Sequence, residues 1–83
     1  MFVTYVLQSE KNRKHYIGHT KNLIARLKKH NSGSVRSTKS GIPWIIIYKE
    51  MFKSKSEAYL RELMIKSFKG GIQFKEMLRS DIK

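Results

Sequence analysis

The sequence predicts a small α+β domain: a three-stranded antiparallel sheet, made of an N-terminal hairpin plus a third strand, packed with helices in the order ββαβαα. Three observations lead there. Two segments rich in β-branched and aromatic side chains, residues 2–9 and 14–19, flank a polar turn, "EKNRK". The hydrophobic period then becomes helical after Thr20. A third apolar run, "PWIIIYKEMF" at 43–52, is followed at once by a helix-start signal. With 83 residues the chain makes one domain with a small core. We expect the domain to occupy residues 1–78 and a C-terminal tail to follow at 79–83.

Each element has its own reason. "FVTYVLQS" is the first strand and "KHYIGH" the second. If Tyr5 pairs opposite Tyr16, or an even number of residues away, both rings leave the same face of the sheet. From Thr20 or Asn22 onward, Leu23, Ile24 and Leu27 form an apolar stripe, and "HNSG" closes that helix with Gly33 just past its end. Residues 31–42 are Ser-, Gly- and Lys-rich without a period, which reads as a basic loop. The Ile run predicts a buried third strand. Ser54 with Glu57 three residues on is a capping box, opening a helix through "EAYLRELMIKSF". "KGG" ends it, and "IQFKEMLRSDIK" is a last short helix that frays into the tail.

Eighteen Lys and Arg against six Asp and Glu give a net charge of +12. Such an excess repels itself in a compact state, so it points to a polyanionic partner: nucleic acid first, an anionic membrane surface second. The cations are spread along the chain, which implies a charged face of a folded domain. The chain has no cysteine, which excludes disulfides and thiolate zinc sites. Its longest apolar run, around "PWIII", is far below the roughly 20 residues of a membrane span. No secretion signal is apparent in "MFVTYVLQSE". A cytoplasmic protein without a membrane partner is expected.

No Gly-rich phosphate loop and no G-x-S-x-G elbow is present. His15 and His19, four residues apart on a strand, stand about 13 Å apart, too far to chelate one metal together with His30. Of the six acids, Glu62 alone is set by its neighbours Ala58 and Ile65 on the buried stripe of its helix. There it needs a cation, either a metal or a nearby Lys or Arg. Asn22, Arg26 and His30 recur at four-residue spacing along one side of the first helix. They are either a solvated face or a phosphate clamp with a proton carrier beside it. Tyr16-x-Gly18 marks backbone that turns or passes something closely, although tyrosines also fill half-buried strand positions as a matter of course.

Taken in order, these residues resemble the GIY-YIG nuclease superfamily. Tyr16-Ile17-Gly18 matches the second signature triplet, while Val3-Thr4-Tyr5 keeps only the tyrosine of the first. "YIGHTKNLIARLKKHNSG" resembles the family's strand, turn and first helix, with Arg26 at the arginine position. "SKSEAYLRELMIKSF" resembles the helix that carries its metal-binding glutamate, here Glu62. The likeness spans residues 2–78 and is strongest to the small stand-alone bacterial members, themselves similar to the N-terminal half of the nucleotide-excision repair nuclease. It implies phosphodiester hydrolysis with one divalent metal, Mg²⁺ or Mn²⁺, held by Glu62. Catalytic roles would fall to Tyr5, Tyr16, Arg26, His30 and Glu62. Substrate contacts would come from His19, which stands where several members carry lysine, from Asn22, and from the basic loop at Arg36 and Lys39. The resemblance further implies DNA ahead of RNA as substrate and structure-selective cutting in repair or turnover, with specificity from a partner protein or a homodimer. The alternatives are a catalytically idle nucleic-acid-binding module of the same fold, or a basic protein coating RNA or membrane.

Overall fold

A computed structural model describes residues 1–80. The chain runs β1 (Phe2–Ser9), β2 (His15–Thr20), α1 (Leu23–Asn31), a 3-10 turn at Lys39–Gly41, β3 (Trp44–Phe52), α2 (Lys55–Ser67) and α3 (Ile72–Ser80). This is the expected ββαβαα order. α3 continues past the expected boundary at residue 78, and residues 81–83 of the expected tail lie outside the described residues. Among the described residues no helix is long and apolar enough to cross a membrane.

The sheet is antiparallel throughout, in the order β2-β1-β3. The first strand is therefore the central one, and its alternate side chains feed two separate cores. Val6 joins Tyr48, Ile65, Phe74 and Met77 beneath α2 and α3. Val3, Tyr5 and Leu7 join Trp44, with Leu23 and Leu27 of α1 packed against them. Each such side chain contributes about 1.5–3 kcal/mol on burial.

Two readings need correction. β3 is not buried by its Ile run: Ile45 is 40% and Ile46 36% exposed, while Trp44 and Tyr48 are the buried members. β3 is an edge strand, and a register shift opposite Val6 and Leu7 breaks its alternation. Ile46 pairs with Leu7 and Met51 with Val3, placing both on the α1 face, but on the edge strand they stay exposed while the central-strand partners are buried. Ile24 is likewise outside the α1 stripe and is 81% exposed, because Leu23 and Leu27 already define the face that meets the sheet.

The helix ends are fixed by polar side chains. Asn22 caps α1, its Oδ1 accepting from the Ala25 N–H at 3.0 Å. Gly33 sits past the end at φ +85°, a left-handed conformation that suits glycine. Ser54 and Glu57 form the expected capping box of α2. Thr4 Oγ1 donates to the Ala58 carbonyl at 2.7 Å, anchoring the first turn of α2 to β1. Arg61 Nε and Tyr48 Oη both donate to Glu50 Oε1 at 2.9 Å, tying α2 to β3.

Ile24→Gln should change stability by no more than about 0.5 kcal/mol, whereas Ile65→Ala should cost about 2–5 kcal/mol. Urea unfolding followed by circular dichroism measures both, and equal losses would contradict the packing described.

Candidate active site

The site begins with a missing side chain. Tyr5 pairs with Gly18 and Leu7 with Tyr16, so the two tyrosines are offset by two residues and share the α1 face. A Cβ on Gly18 would lie 2.7 Å from Tyr5 Oη and 3.2 Å from Tyr16 Cε2. Only glycine lets the Tyr5 ring cross the β2 backbone there. The Tyr5 and Tyr16 centroids lie 6.3 Å apart. His30, buried at the last turn of α1, completes the cluster, 4.6 Å from the Tyr16 ring centre.

His30 is wired on both nitrogens. Nε2 is 3.3 Å from Tyr5 Oη and Nδ1 is 2.9 Å from Thr38 Oγ1. Thr38 Oγ1 also donates to the Val35 carbonyl at 3.4 Å. A hydroxyl has one hydrogen, so we assign Nδ1–H as donor to Thr38 and Nε2 as acceptor from Tyr5. Burial, followed by the neighbouring Arg26 and Lys29, holds the His30 imidazole below its ordinary value, which keeps it neutral. Burial and the nearby Tyr16 push the Tyr5 phenol well above its ordinary value, against an opposing pull from Arg26. Tyr5 is therefore a hydrogen-bond donor and not a base. The loop behind this wiring is locked: Trp44 Nε1 donates to the Thr38 carbonyl at 2.7 Å, and Asn31 clamps the Trp44 backbone at 2.7 and 3.0 Å.

Glu62 approaches from the other side of β2. Ala58, Glu62 and Ile65 are the buried residues of α2, as their spacing predicts. Glu62 Oε1 accepts from His19 Nδ1 at 2.5 Å and Oε2 from Lys66 Nζ at 2.6 Å. Burial opposes its ionisation, but these two bonds outweigh burial and hold the carboxyl below its usual range. Tyr5, Tyr16, Gly18, His19, Asn22, Arg26 and Glu62 open together onto one cavity of about 670 Å³.

The expected residues thus divide into three groups. Tyr5, Tyr16, His19, Asn22, Arg26 and Glu62 line the cavity, whereas His30 stands behind Tyr5. Arg36 and Lys39 are exposed and lie outside the lining. Sequence reasoning missed Lys21, Lys29 and Lys55, which also line it. Lys29, three residues after Arg26 on the same helix side, was open to detection by spacing. Thr38 carried no signal, because its loop has no period. Among the described residues, Lys21, Arg26, Lys29 and Lys55 have no carboxylate partner. The first turn of α1 carries no acid either. The cavity is therefore a well of uncompensated positive charge around one ionised carboxylate. No three His, Asp or Glu side chains converge among the described residues. A lone carboxylate fits a hard cation such as Mg²⁺, which keeps most of its waters and takes its other ligands from substrate phosphate.

A profile of the GIY-YIG catalytic domain matches residues 1–71. The chain belongs to the GIY-YIG family. Membership places it in a nuclease superfamily, whose substrates are nucleic acids. It is similar to a UPF0213 protein of Staphylococcus haemolyticus, 48% identical over 54 residues, and to one of Staphylococcus aureus, 43% identical over 54 residues. Those matches cover 64% of this chain and 66% of each relative. The solution structure of a UPF0213 protein of Bacillus halodurans aligns with a TM-score of 0.53 at 30% identity. That alignment covers 96% of this chain and 84% of the other.

Two outcomes follow from the cluster. Gly18→Ala should displace the Tyr5 ring and cost about 1–3 kcal/mol through overpacking, read as a lowered urea midpoint with altered tyrosine ring resonances. His30 resists protonation because it is buried. His15, exposed overall but desolvated on the side that meets the Phe74 ring, is held below its ordinary value as well, so the unfolded chain binds more protons once pH drops below about 6.5. The urea midpoint should therefore be flat above that pH and fall below it. A His15→Asn, His30→Asn double variant should fall less steeply over the same interval.

Proposed function

We propose that this GIY-YIG domain is a one-metal endonuclease that hydrolyses phosphodiester bonds, with DNA as the preferred substrate. The observation that carries the reading is the convergence of Tyr5, Tyr16, Arg26 and Glu62 on one cavity where, among the described residues, Lys21, Arg26, Lys29 and Lys55 have no carboxylate partner. A divalent cation held by Glu62, Mg²⁺ or Mn²⁺, supplies polarisation of the phosphoryl oxygen and stabilisation of the leaving 3′-oxygen when bound. Arg26 binds the scissile phosphate through its planar fork and stabilises the charge that develops there. Lys21, Lys29 and Lys55 draw the adjoining phosphates into the well.

Tyr16 orients the attacking water, and its phenolate form would take the water's proton, leaving a neutral phenol and the hydroxide that attacks phosphorus. Tyr5 keeps its own proton: its Oη donates to His30 Nε2 and, as part of the cavity lining, its oxygen would accept a hydrogen bond from the water and hold it in place. His30, neutral and held by Thr38, fixes that orientation. His19 steers the Glu62 carboxylate, and Asn22 sets the start of α1, whose unacidic first turn faces the same anion.

A second reading, binding without cutting, is favoured by one observation: both Glu62 oxygens already have cationic or N–H partners within 2.6 Å. Labelled single strand, duplex, flap and RNA, each with Mg²⁺, Mn²⁺ or EDTA, separate the two readings. Metal-dependent cleavage lost in Glu62→Gln, with binding retained, is the expected result. Tyr16→Phe should lower kcat about 10²–10⁴-fold. Tight binding that falls about 10³-fold from low to moderate salt, with no cutting by the unaltered protein, would favour the binding module.

A further inference from the structure

Tyr59 stands outside the machinery just described. It lies one helical turn before Glu62 and is 46% exposed. Its ring meets His19, with centroids 5.5 Å apart and planes at 61°. Next to the phosphate cavity, Tyr59, His19, Lys55 and Ser56 line a second, open cleft of about 530 Å³. The two spaces share His19 and Lys55. One compartment is cationic and the other is aromatic, and they adjoin at the residue that touches Glu62.

We propose that the second cleft is a subsite for an unpaired nucleobase next to the scissile phosphate, with Tyr59 as its stacking surface. The proposal rests on the phosphodiester reading of the first cavity. An edge-to-face contact with His19 leaves a face of the aromatic pair open, and such faces accept bases irrespective of sequence. Lys55, at the junction, neutralises the phosphate joining that base to the next nucleotide. A base inside a duplex is already stacked on its neighbours and cannot enter, so the cleft selects strands that are single or locally unpaired. Leu60, Leu63 and Met64 are also exposed on α2, but none lines either cavity. Apolar exposure alone therefore does not account for where Tyr59 sits.

Binding measured in EDTA tests this without cleavage. The probes are a single-stranded deoxy-oligonucleotide carrying 2-aminopurine, its ribo-counterpart, and a hairpin duplex of equal charge. The proteins are the unaltered chain, Tyr59→Leu and Tyr59→Phe, with circular dichroism verifying the fold. Tyr59→Leu should lose about 5- to 150-fold in single-strand affinity, together with the 2-aminopurine quenching, so that the ratio of single-strand to duplex affinity drops at least fivefold. Tyr59→Phe should keep both. Stronger quenching of the deoxy- or the ribo-probe identifies the source of the base. Equal losses on single strand and duplex, or no loss on either, would overturn the subsite and leave the phosphodiester reading standing. Failure of the unaltered chain to bind any probe would overturn both.

Discussion

The whole site hangs on the absence of one methyl group. Because Gly18 has no Cβ, the Tyr5 ring can lie across β2 and bring its hydroxyl to His30. That contact joins the central strand of the sheet to the last turn of α1. Tyr16 is carried to the same place by strand register, and His30 is held from behind by Thr38. None of these side chains relies on a flexible surface loop for its aim. The polar groups of Tyr5, His30 and Thr38 are buried and partnered, so each bond is electrostatically strong and each loss would leave a neighbour unsatisfied. Two cores, one on each face of β1, brace this arrangement.

Electrostatics at the site are lopsided by construction. One carboxylate is kept ionised in partial burial by two donors, while four cations around it have no carboxylate partner among the described residues. In a chain of net charge +12 this costs stability through self-repulsion, a cost that a bound polyanion would offset. Arg61 shows the contrast: paired with Glu50 and bonded through it to Tyr48, it faces β3, away from the cavity, and serves packing.

Much of this was legible in the sequence wherever a local rule applied. The element order, the capping box at Ser54 and Glu57, the shared face of Tyr5 and Tyr16, and the burial of Glu62 follow from period, propensity and spacing. What escaped depended on neighbours that no local pattern encodes. The Ile45–Ile47 run looks like a core strand until one knows that β1 takes the centre of the sheet and β3 its edge. Ile24 looks like core until the width of the contact with α1 is known. Thr38 and Lys55 enter the site through tertiary folding, and Arg36 and Lys39, chosen for charge alone, stay outside it.

Trp44 is the single tryptophan of the chain. Its indole fills the space above Gly41, where a Cβ would collide with Cζ2, and its N–H is bonded to the carbonyl of the residue that positions His30. Its emission therefore comes from one fluorophore seated two hydrogen-bonded side chains away from the Tyr5 hydroxyl. Whatever loosens the backing of the site alters the polarity around that indole. The protein carries, without any label, an optical gauge of the geometry behind its candidate site.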